Sequence, residues 1–375
     1  MSDGKNSDPQ IIHVQGDHYQ MGFQHGQQAR TLLPAIHALI DMRLAEVEEA
    51  APGESFERLL EDTIRVIQDE DQAILEFVRG QADGFGLEYR LLLRYNLVTY
   101  LSDVLQRQNV SAGGDTGHIN EGCSTWAAAG SATVDGQPIL AKNRDTNMLH
   151  LPVQTIVRAE PKRGYRYTYI TSAGSPGVYV AGFNEAGLAL VDTYVSSVDI
   201  GPGLPTYALS MYVLENHKTV HSAVAYLKPV PRQGRNNLLL ADADGDMAVF
   251  EIGYENFGVQ KSTSDYLVNT NHFSCAEMRS CFMDTNSDSA REDSYQRSTF
   301  LEKRLKEAYG RIDVAFAKEV MGSHSEGLSS VCKHPAEGQM SGTVSASIYL
   351  PAQRRMFFCH GFPCSQEYIE FDYND

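Results

Sequence analysis

The stretch Glu121-Gly122-Cys123-Ser124-Thr125-Trp126 divides the chain into two parts of different character. Before it lies a polar, glycine-rich run, Ser111-Ala112-Gly113-Gly114-Asp115-Thr116-Gly117, whose composition predicts an exposed linker. After it comes a strand-like segment followed by Val134-Asp135-Gly136-Gln137, a strong hairpin-turn signal. The returning strand ends in Asn143-Arg144-Asp145. We therefore expect the hairpin to bring this Asn-x-Asp end back beside Cys123.

The patterns on either side predict an α+β fold. From Tyr19 onward, apolar and small residues recur at helical spacing, and further helical regions follow before residue 110. After Cys123, many consecutive strands with few helices between them favour a largely antiparallel sheet. Gly22 and Gly26 indicate that another backbone packs closely against the first helix. Between them, His25 is either a functional histidine or a residue used for helix packing or capping.

Composition excludes several function classes. The 375 residues include 31 basic and 48 acidic side chains, a net charge of −17, and such a surface repels nucleic acid and anionic membranes. No apolar run is long enough for a membrane helix, and residues 1–10 lack a secretory signal, so we expect cytoplasmic residence. None of the six cysteines forms a CxxC pair, so we expect no metal site.

A cysteine can attack an amide or thioester only if a base removes its proton and the oxyanion is held. A separate histidine is one source of the base, and the candidates are His272, His324, His334 and His360. The other source of the base is a cut between Gly122 and Cys123, because it would free the α-amine of Cys123. That amine has a reference pKa of about 8, close to ideal for a base at neutral pH.

Several motifs, in order along nearly the whole chain, carry a family resemblance. They are Gly16-x-x-Tyr19-x-x-Gly22-x-x-His25-Gly26, Gly122-Cys123-Ser124-Thr125, Asn143-Arg144-Asp145, Gly182-Phe183-Asn184-Glu185-Ala186-Gly187-Leu188 and Thr270-Asn271-His272. The sequence resembles the self-cleaving acyl-coenzyme A:isopenicillin N (6-aminopenicillanic acid) acyltransferases, to which insect β-alanyl-amine hydrolase is related. These are N-terminal-nucleophile hydrolases, so the resemblance implies an αββα sandwich with a helical N-terminal leader segment.

The resemblance also implies roles for single residues. It implies self-cleavage after Gly122 into a helical fragment 1–122 and a catalytic fragment 123–375, which stay associated as a heterodimer. Cys123 would be the nucleophile, Asp145 the carboxylate that contacts its amine, and Asn271 the oxyanion-hole residue. Lys333 stands where the fungal enzyme carries an arginine, and it is either a substrate-binding residue or a surface lysine.

The sequence thus predicts a cysteine amidohydrolase or acyltransferase that acts on a small-molecule amide or acyl-thioester and needs no cofactor. Water is the default acyl acceptor, because no coenzyme A phosphate-binding feature is visible. Two alternatives remain: an uncleaved Cys/His thiol hydrolase, and a non-catalytic binding protein on the same scaffold. Arg144 is left out of the catalytic set because it alternates to the strand face opposite Asp145. The polar segment Phe273 to Asp293 predicts a long surface loop near the site.

Overall fold

The computed structural model describes residues 9–50, 54–70, 72–111, 122–283, 288–324 and 330–373. The predicted linker falls mostly on 112–117, outside these residues. The helices are α1 (His18–Gln28), α2 (Leu33–Ala50), α3 (Glu54–Glu70), α4 (Gln72–Phe85), α5 (Tyr89–Ser111), α6 (Thr206–Asn216), α7 (Val220–Leu227), α8 (Asp288–Glu307) and α9 (Val314–Met321). The strands are β1 (Gln10–Gly16), β2 (Gly122–Ala128), β3 (Ile139–Asn147), β4 (Gln154–Pro161), β5 (Tyr167–Ser172), β6 (Ala181–Asn184), β7 (Ala189–Thr193), β8 (Asn237–Ala241), β9 (Met247–Ile252), β10 (Phe257–Lys261), β11 (Tyr266–Asn269), β12 (Ser341–Leu350), β13 (Arg355–His360) and β14 (Tyr368–Asp372).

The strands form two sheets. One has the order β1-β4-β5-β6-β7-β8-β9-β10, and the other has the order β11-β2-β3-β12-β13-β14. All neighbours pair antiparallel except β1 and β4, which are parallel. The prediction of a largely antiparallel α+β fold is confirmed.

Strand alternation explains why the sheets stack in four layers. Successive side chains of a strand point to opposite faces, so each sheet has two apolar faces to cover. In β2, Ala127 packs in the core between the sheets, while Trp126 packs with Leu301 and Val320 of α8 and α9. In β5, Ile170 lies between the sheets, while Tyr167 and Tyr169 pack in the core under helices α1 to α7. The result is an αββα sandwich, as expected.

Helices α1 and α4 touch backbone to backbone. A Cβ on Gly22 would lie 2.0 Å from the carbonyl oxygen of Phe77, so only glycine fits there. His25 is fully buried beside this contact, with its ring edge-on to those of Phe77 and Phe85. Asp17 caps α1 in a capping box with Gln20, as the sequence predicts. His25 therefore serves helix packing rather than capping or a site.

One helical region divides and another starts earlier than the sequence predicts. Residues Thr206 to Leu227 form two helices, α6 and α7, because Thr219 starts a new helix by accepting a hydrogen bond from the Ser222 N–H. The expected loop Phe273–Asp293 was wrong at its end, since α8 already begins at Asp288. Within that loop, residues 284–287 lie outside the described part of the chain.

Candidate active site

Gly122 and Cys123 begin β2, which lies between β11 and β3 in the six-stranded sheet. The register of the β2–β3 hairpin places Gly122 opposite Asp145 and Cys123 opposite Arg144. Cys123 is 7% exposed and borders a cavity. The hairpin thus brings the Asn-x-Asp end beside Cys123, as the sequence predicts.

Electrostatics keep the thiol of Cys123 protonated in the continuous chain. Burial raises the pKa of this thiol, and the carboxylates of Asp192 and Asp145 raise it further. The ammonium of Lys142 and a hydrogen bond from the backbone N–H of Asp145 oppose the rise. Since only the thiolate attacks a carbonyl, Cys123 needs a base in contact with it.

Asp145 offers a buried oxygen to this region. Its Oδ1 accepts a hydrogen bond from Thr343 Oγ1 at 2.6 Å, while Oδ2 is buried and has no hydrogen-bond partner among the described residues. Burial raises the pKa of the Asp145 carboxyl, and the positive charges of Lys333 and Arg297 oppose this rise. Oδ2 lies 3.2 Å from the point that a Cβ on Gly122 would occupy. A buried hydrogen-bond acceptor, Asp145 Oδ2, therefore lies beside the Gly122–Cys123 peptide.

Asn271 contacts the backbone of Cys123. Its Oδ1 accepts the Cys123 N–H at 2.8 Å, and its Nδ2 donates to the carbonyl oxygen of Tyr194 at 2.8 Å. Asn271 reaches this position because β11, two residues earlier, pairs with β2. An amide nitrogen carries two hydrogens, so one N–H has no acceptor among the described residues and is available to an oxyanion.

Arg297 is a site residue that the sequence reasoning missed. It is 1% exposed, and its Nη1 donates to the carbonyl oxygen of Cys123 at 2.5 Å and to Ser124 Oγ at 3.0 Å. Its Nη2 donates to Asn271 Oδ1 at 2.9 Å. Its Nε donates to Asp293 Oδ2 at 2.9 Å, one helical turn earlier on α8. The i,i+4 Asp-Arg spacing was the available signal, and the expected loop concealed it.

Lys333 joins the same network. Its Nζ lies 2.8 Å from Asp293 Oδ2, and its side chain is 26% exposed. Asp293 therefore pairs with both cations, and Lys333 Nζ lies 3.2 Å from the point that a Cβ on Gly122 would occupy. The structure brings Lys333 to the Gly-Cys junction rather than leaving it as a free surface lysine.

Comparison with known proteins places this geometry in a family. The model of the acyl-coenzyme A:6-aminopenicillanic acid acyl-transferase family matches residues 132–364, more than half of the chain. The chain belongs to this family. The match contains Asp145, Asn271, Arg297 and Lys333, and it begins nine residues after Cys123.

Solved structures with the same fold are more distant, and no curated protein matches the chain significantly. A conjugated bile acid hydrolase from Clostridium perfringens is 13% identical over 67% of this chain and 92% of its own, with a TM-score of 0.49. A penicillin V acylase from Agrobacterium tumefaciens is 17% identical over 68% of this chain and 87% of its own, with a TM-score of 0.45.

In this acyl-transferase family member, the cavity beside Cys123 is lined mainly by polar and charged groups. Lys142 is buried there and forms an ion pair with Asp192, which also accepts from Asn236 Nδ2 at 2.9 Å. Arg144 lines the cavity too, so its alternation to the face opposite Asp145 does not take it away from Cys123. Residues directly opposite in a hairpin share a face, and Arg144 is opposite Cys123 rather than Gly122.

The backbone of one cavity wall is strained. Arg235 and Asn236 have φ angles of 56° and 72°, in the left-handed region that non-glycine residues rarely adopt. Both side chains line the cavity, and Arg235 Nη1 donates to Asp103 Oδ2 on α5 at 3.1 Å. Strain of this kind collects at functional sites because the surrounding contacts must hold it in place.

The histidines proposed as an external base are engaged elsewhere. Nδ1 of His272 lies 2.9 Å from Ser294 Oγ, and burial lowers the pKa of His272 to about 4. His360 Nε2 contacts the carbonyl oxygen of Leu151 at 2.8 Å. His324 and His334 lie beside each other, with ring centroids 5.0 Å apart. Within the described ranges, no hydrogen bond joins a histidine to Cys123 Sγ.

Proposed function

We propose that this protein is a self-processing cysteine amidohydrolase or acyltransferase with Cys123 as its nucleophile. The observation that carries the proposal is the unpartnered, buried Oδ2 of Asp145 beside the Gly122–Cys123 peptide. A buried carboxylate oxygen without a partner is costly, and an ammonium group released by a cut at this peptide is the partner that it lacks.

Self-processing begins with attack of Cys123 Sγ on the carbonyl carbon of Gly122. The thiol proton passes to the leaving backbone nitrogen, the C–N bond breaks, and a thioester and an amine form. Water then hydrolyses the thioester, which leaves a carboxylate on Gly122 and a free thiol on Cys123. The buried cation of Arg297 beside Cys123 O supports this step by fixing the main chain of the nucleophile.

Turnover uses the same atoms. In the processed enzyme, the α-amine of Cys123 takes the thiol proton, and Asp145 orients the amine through its free oxygen. Sγ attacks the carbonyl carbon of a small-molecule amide or thioester, with the second Asn271 N–H near the developing oxyanion. The leaving amine or thiol takes the proton, and water or an amine then removes the acyl group from Sγ.

Residence in the cytoplasm remains a prediction from the sequence.

Intact mass under denaturing conditions tests the proposal. We expect wild-type protein to give fragments 1–122 and 123–375, Cys123→Ala to give one full-length chain, and the matched cysteine control Cys275→Ser to be cut normally. A thiol-reactive electrophile should label the new N-terminus of protein that carries Cys123, and this label should be missing in Cys123→Ala. A full-length wild-type chain after incubation at neutral pH would contradict self-processing. It would leave the Cys/His hydrolase, which keeps Cys123-dependent activity, or the binding protein, which has none.

A further inference from the structure

A cluster of two histidines and two cysteines lies outside the active site. The ligating atoms of His324, Cys332, His334 and Cys364 all lie within 4.8 Å of one another. They come from three separate parts of the chain: the residues after α9, the segment that precedes β12, and the turn between β13 and β14. None of the three parts contains a CxxC pair, the signal on which the expectation of no metal rested.

The distances within the cluster fit one small cation. His334 Nε2 lies 3.2 Å from Cys364 Sγ and 3.9 Å from Cys332 Sγ. Tetrahedral zinc with its usual bonds to sulfur and nitrogen separates its ligand atoms by about 3.3–3.8 Å. The His334 ring stacks on Phe362 at a centroid distance of 4.2 Å, which holds its Nε2 toward the thiols.

We propose that His324, Cys332, His334 and Cys364 bind one Zn²⁺ ion in a tetrahedral site. Thiolate and imidazole donors select zinc over Mg²⁺ and Ca²⁺, which prefer oxygen. Binding exchanges the ion for the two thiol protons, and two thiolates with two neutral imidazoles leave the site with zero net charge. Cys332 is buried and the other three ligands are exposed, so the ion has a path from solvent.

The position of the site gives the ion a structural role in the active centre. Between the ligands Cys332 and His334 stands Lys333, whose Nζ contacts Asp293 at 2.8 Å. The backbone of Lys333 bonds Thr343 twice, through its N–H to Oγ1 at 2.8 Å and through its carbonyl to the Thr343 N–H at 2.9 Å. Thr343 in turn donates to Asp145. Zinc would therefore fix the segment that positions Lys333 and, through Thr343, the Asp145 carboxyl. It would not touch the reacting atoms.

Metal content of the untagged, full-length protein tests the site directly. The test variant is His334→Gln with Cys364→Ser, since both side chains are exposed and their loss leaves the core intact. The matched control is His13→Gln with Cys275→Ser, which removes one histidine and one cysteine outside the cluster. We expect one zinc per chain in wild type and control after equilibration with Zn²⁺ and gel filtration, and none in the test variant.

Two further readouts make the result independent of activity. Co²⁺ exchanged into wild type and control should give the strong visible absorption of a tetrahedral thiolate site, and the test variant should not. A chelator should lower the Tm of wild type and control but leave that of the test variant unchanged. Zinc bound equally by the test variant, or none bound by wild type, would overturn the proposal. So would a non-reducing intact mass that shows Cys332 and Cys364 joined as a disulfide, with two hydrogens lost.

Discussion

At the scale of single residues, hydrogen bonds hold Cys123 by its backbone. The N–H of Cys123 donates to Asn271, and its carbonyl accepts from Arg297, so both sides of the Cα are anchored. Arg297 also donates to Asn271 Oδ1, which directs the Asn271 amide nitrogen toward the cavity side. Its planar guanidinium makes these bonds at once, and a lysine ammonium in the same place reaches fewer of them.

Arg297→Lys should therefore slow self-processing by about 100-fold, because the attacking residue loses its fixed geometry. The time course of fragment formation measures the effect without any substrate. Arg304→Lys on the same helix is the matched control, since Arg304 pairs with Glu319 away from the site. We expect the control to be processed at the wild-type rate. Processing of Arg297→Lys at the wild-type rate would refute the positioning role. Slower processing together with a lower Tm would show that Arg297 acts only through the stability of the fold.

At the scale of elements, the close contact of α1 and α4 buries His25 completely. Both ring nitrogens of His25 are buried and have no hydrogen-bond partner among the described residues. Burial alone lowers the pKa of His25 to about 4 from its ordinary 6.5. Burial in this contact thus favours the neutral imidazole of His25.

The stability of the protein should fall between pH 6.5 and pH 4 partly through His25. In this window the unfolded state binds a proton that the native state does not, so the free energy of unfolding decreases as the pH falls. One such proton over this window corresponds to at most about 3 kcal/mol. Urea unfolding measured against pH should show a shallower decline in His25→Leu than in wild type.

The exposed histidine of β1 supplies the control for this experiment. His13→Gln should decline with pH as steeply as wild type, because its ring is on the surface. His272, whose pKa is also about 4 through burial, contributes the same direction of change in every variant. Equal slopes for wild type and His25→Leu would show that His25 gains its proton without disturbing the α1–α4 contact.

At the scale of the whole molecule, the segment before the proposed cut is built into the body of the protein. Strand β1 pairs with β4 over seven residues at the edge of the larger sheet. On α5, Asp103 accepts from Tyr194 at 2.7 Å and from Arg235 at 3.1 Å, so it holds two residues of the cavity wall. Helices α1 to α5 share one apolar core with the larger sheet.

In the described residues, no helix has the length and apolar character needed to cross a membrane.

Fragments 1–122 and 123–375 should therefore remain together after processing. We expect wild-type protein to elute from gel filtration as one species at the volume of uncut Cys123→Ala, and to separate into two fragments only in denaturant. The shared core is the physical reason, since dissociation would expose its apolar surface. Separate elution of the 1–122 fragment under native conditions would contradict this prediction.

The sequence by itself determined the local part of the site. The Asp-Gly turn and the alternation on either side of it were enough to predict that Asp145 returns to Cys123, because a hairpin is closed by its own turn. The αββα layers followed from resemblance, and Asn271 and Lys333 came from motifs rather than from any pattern that positions them. The polar start of α8 was misjudged because serine and aspartate are as common in loops as at helix N-termini.

Only the tertiary structure decided what meets Cys123 from afar. Arg297, the Lys142–Asp192 pair and the strained Arg235–Asn236 turn reach the site through contacts that no local pattern encodes. Among the four proposed zinc ligands, Cys364 is likewise brought by the fold to His324, Cys332 and His334. The periodicity of hydrogen bonds and of apolar residues is a pattern of a few neighbouring residues, so it predicts single helices and strands. The stacking of two sheets between helices determines which side chains line the same cavity.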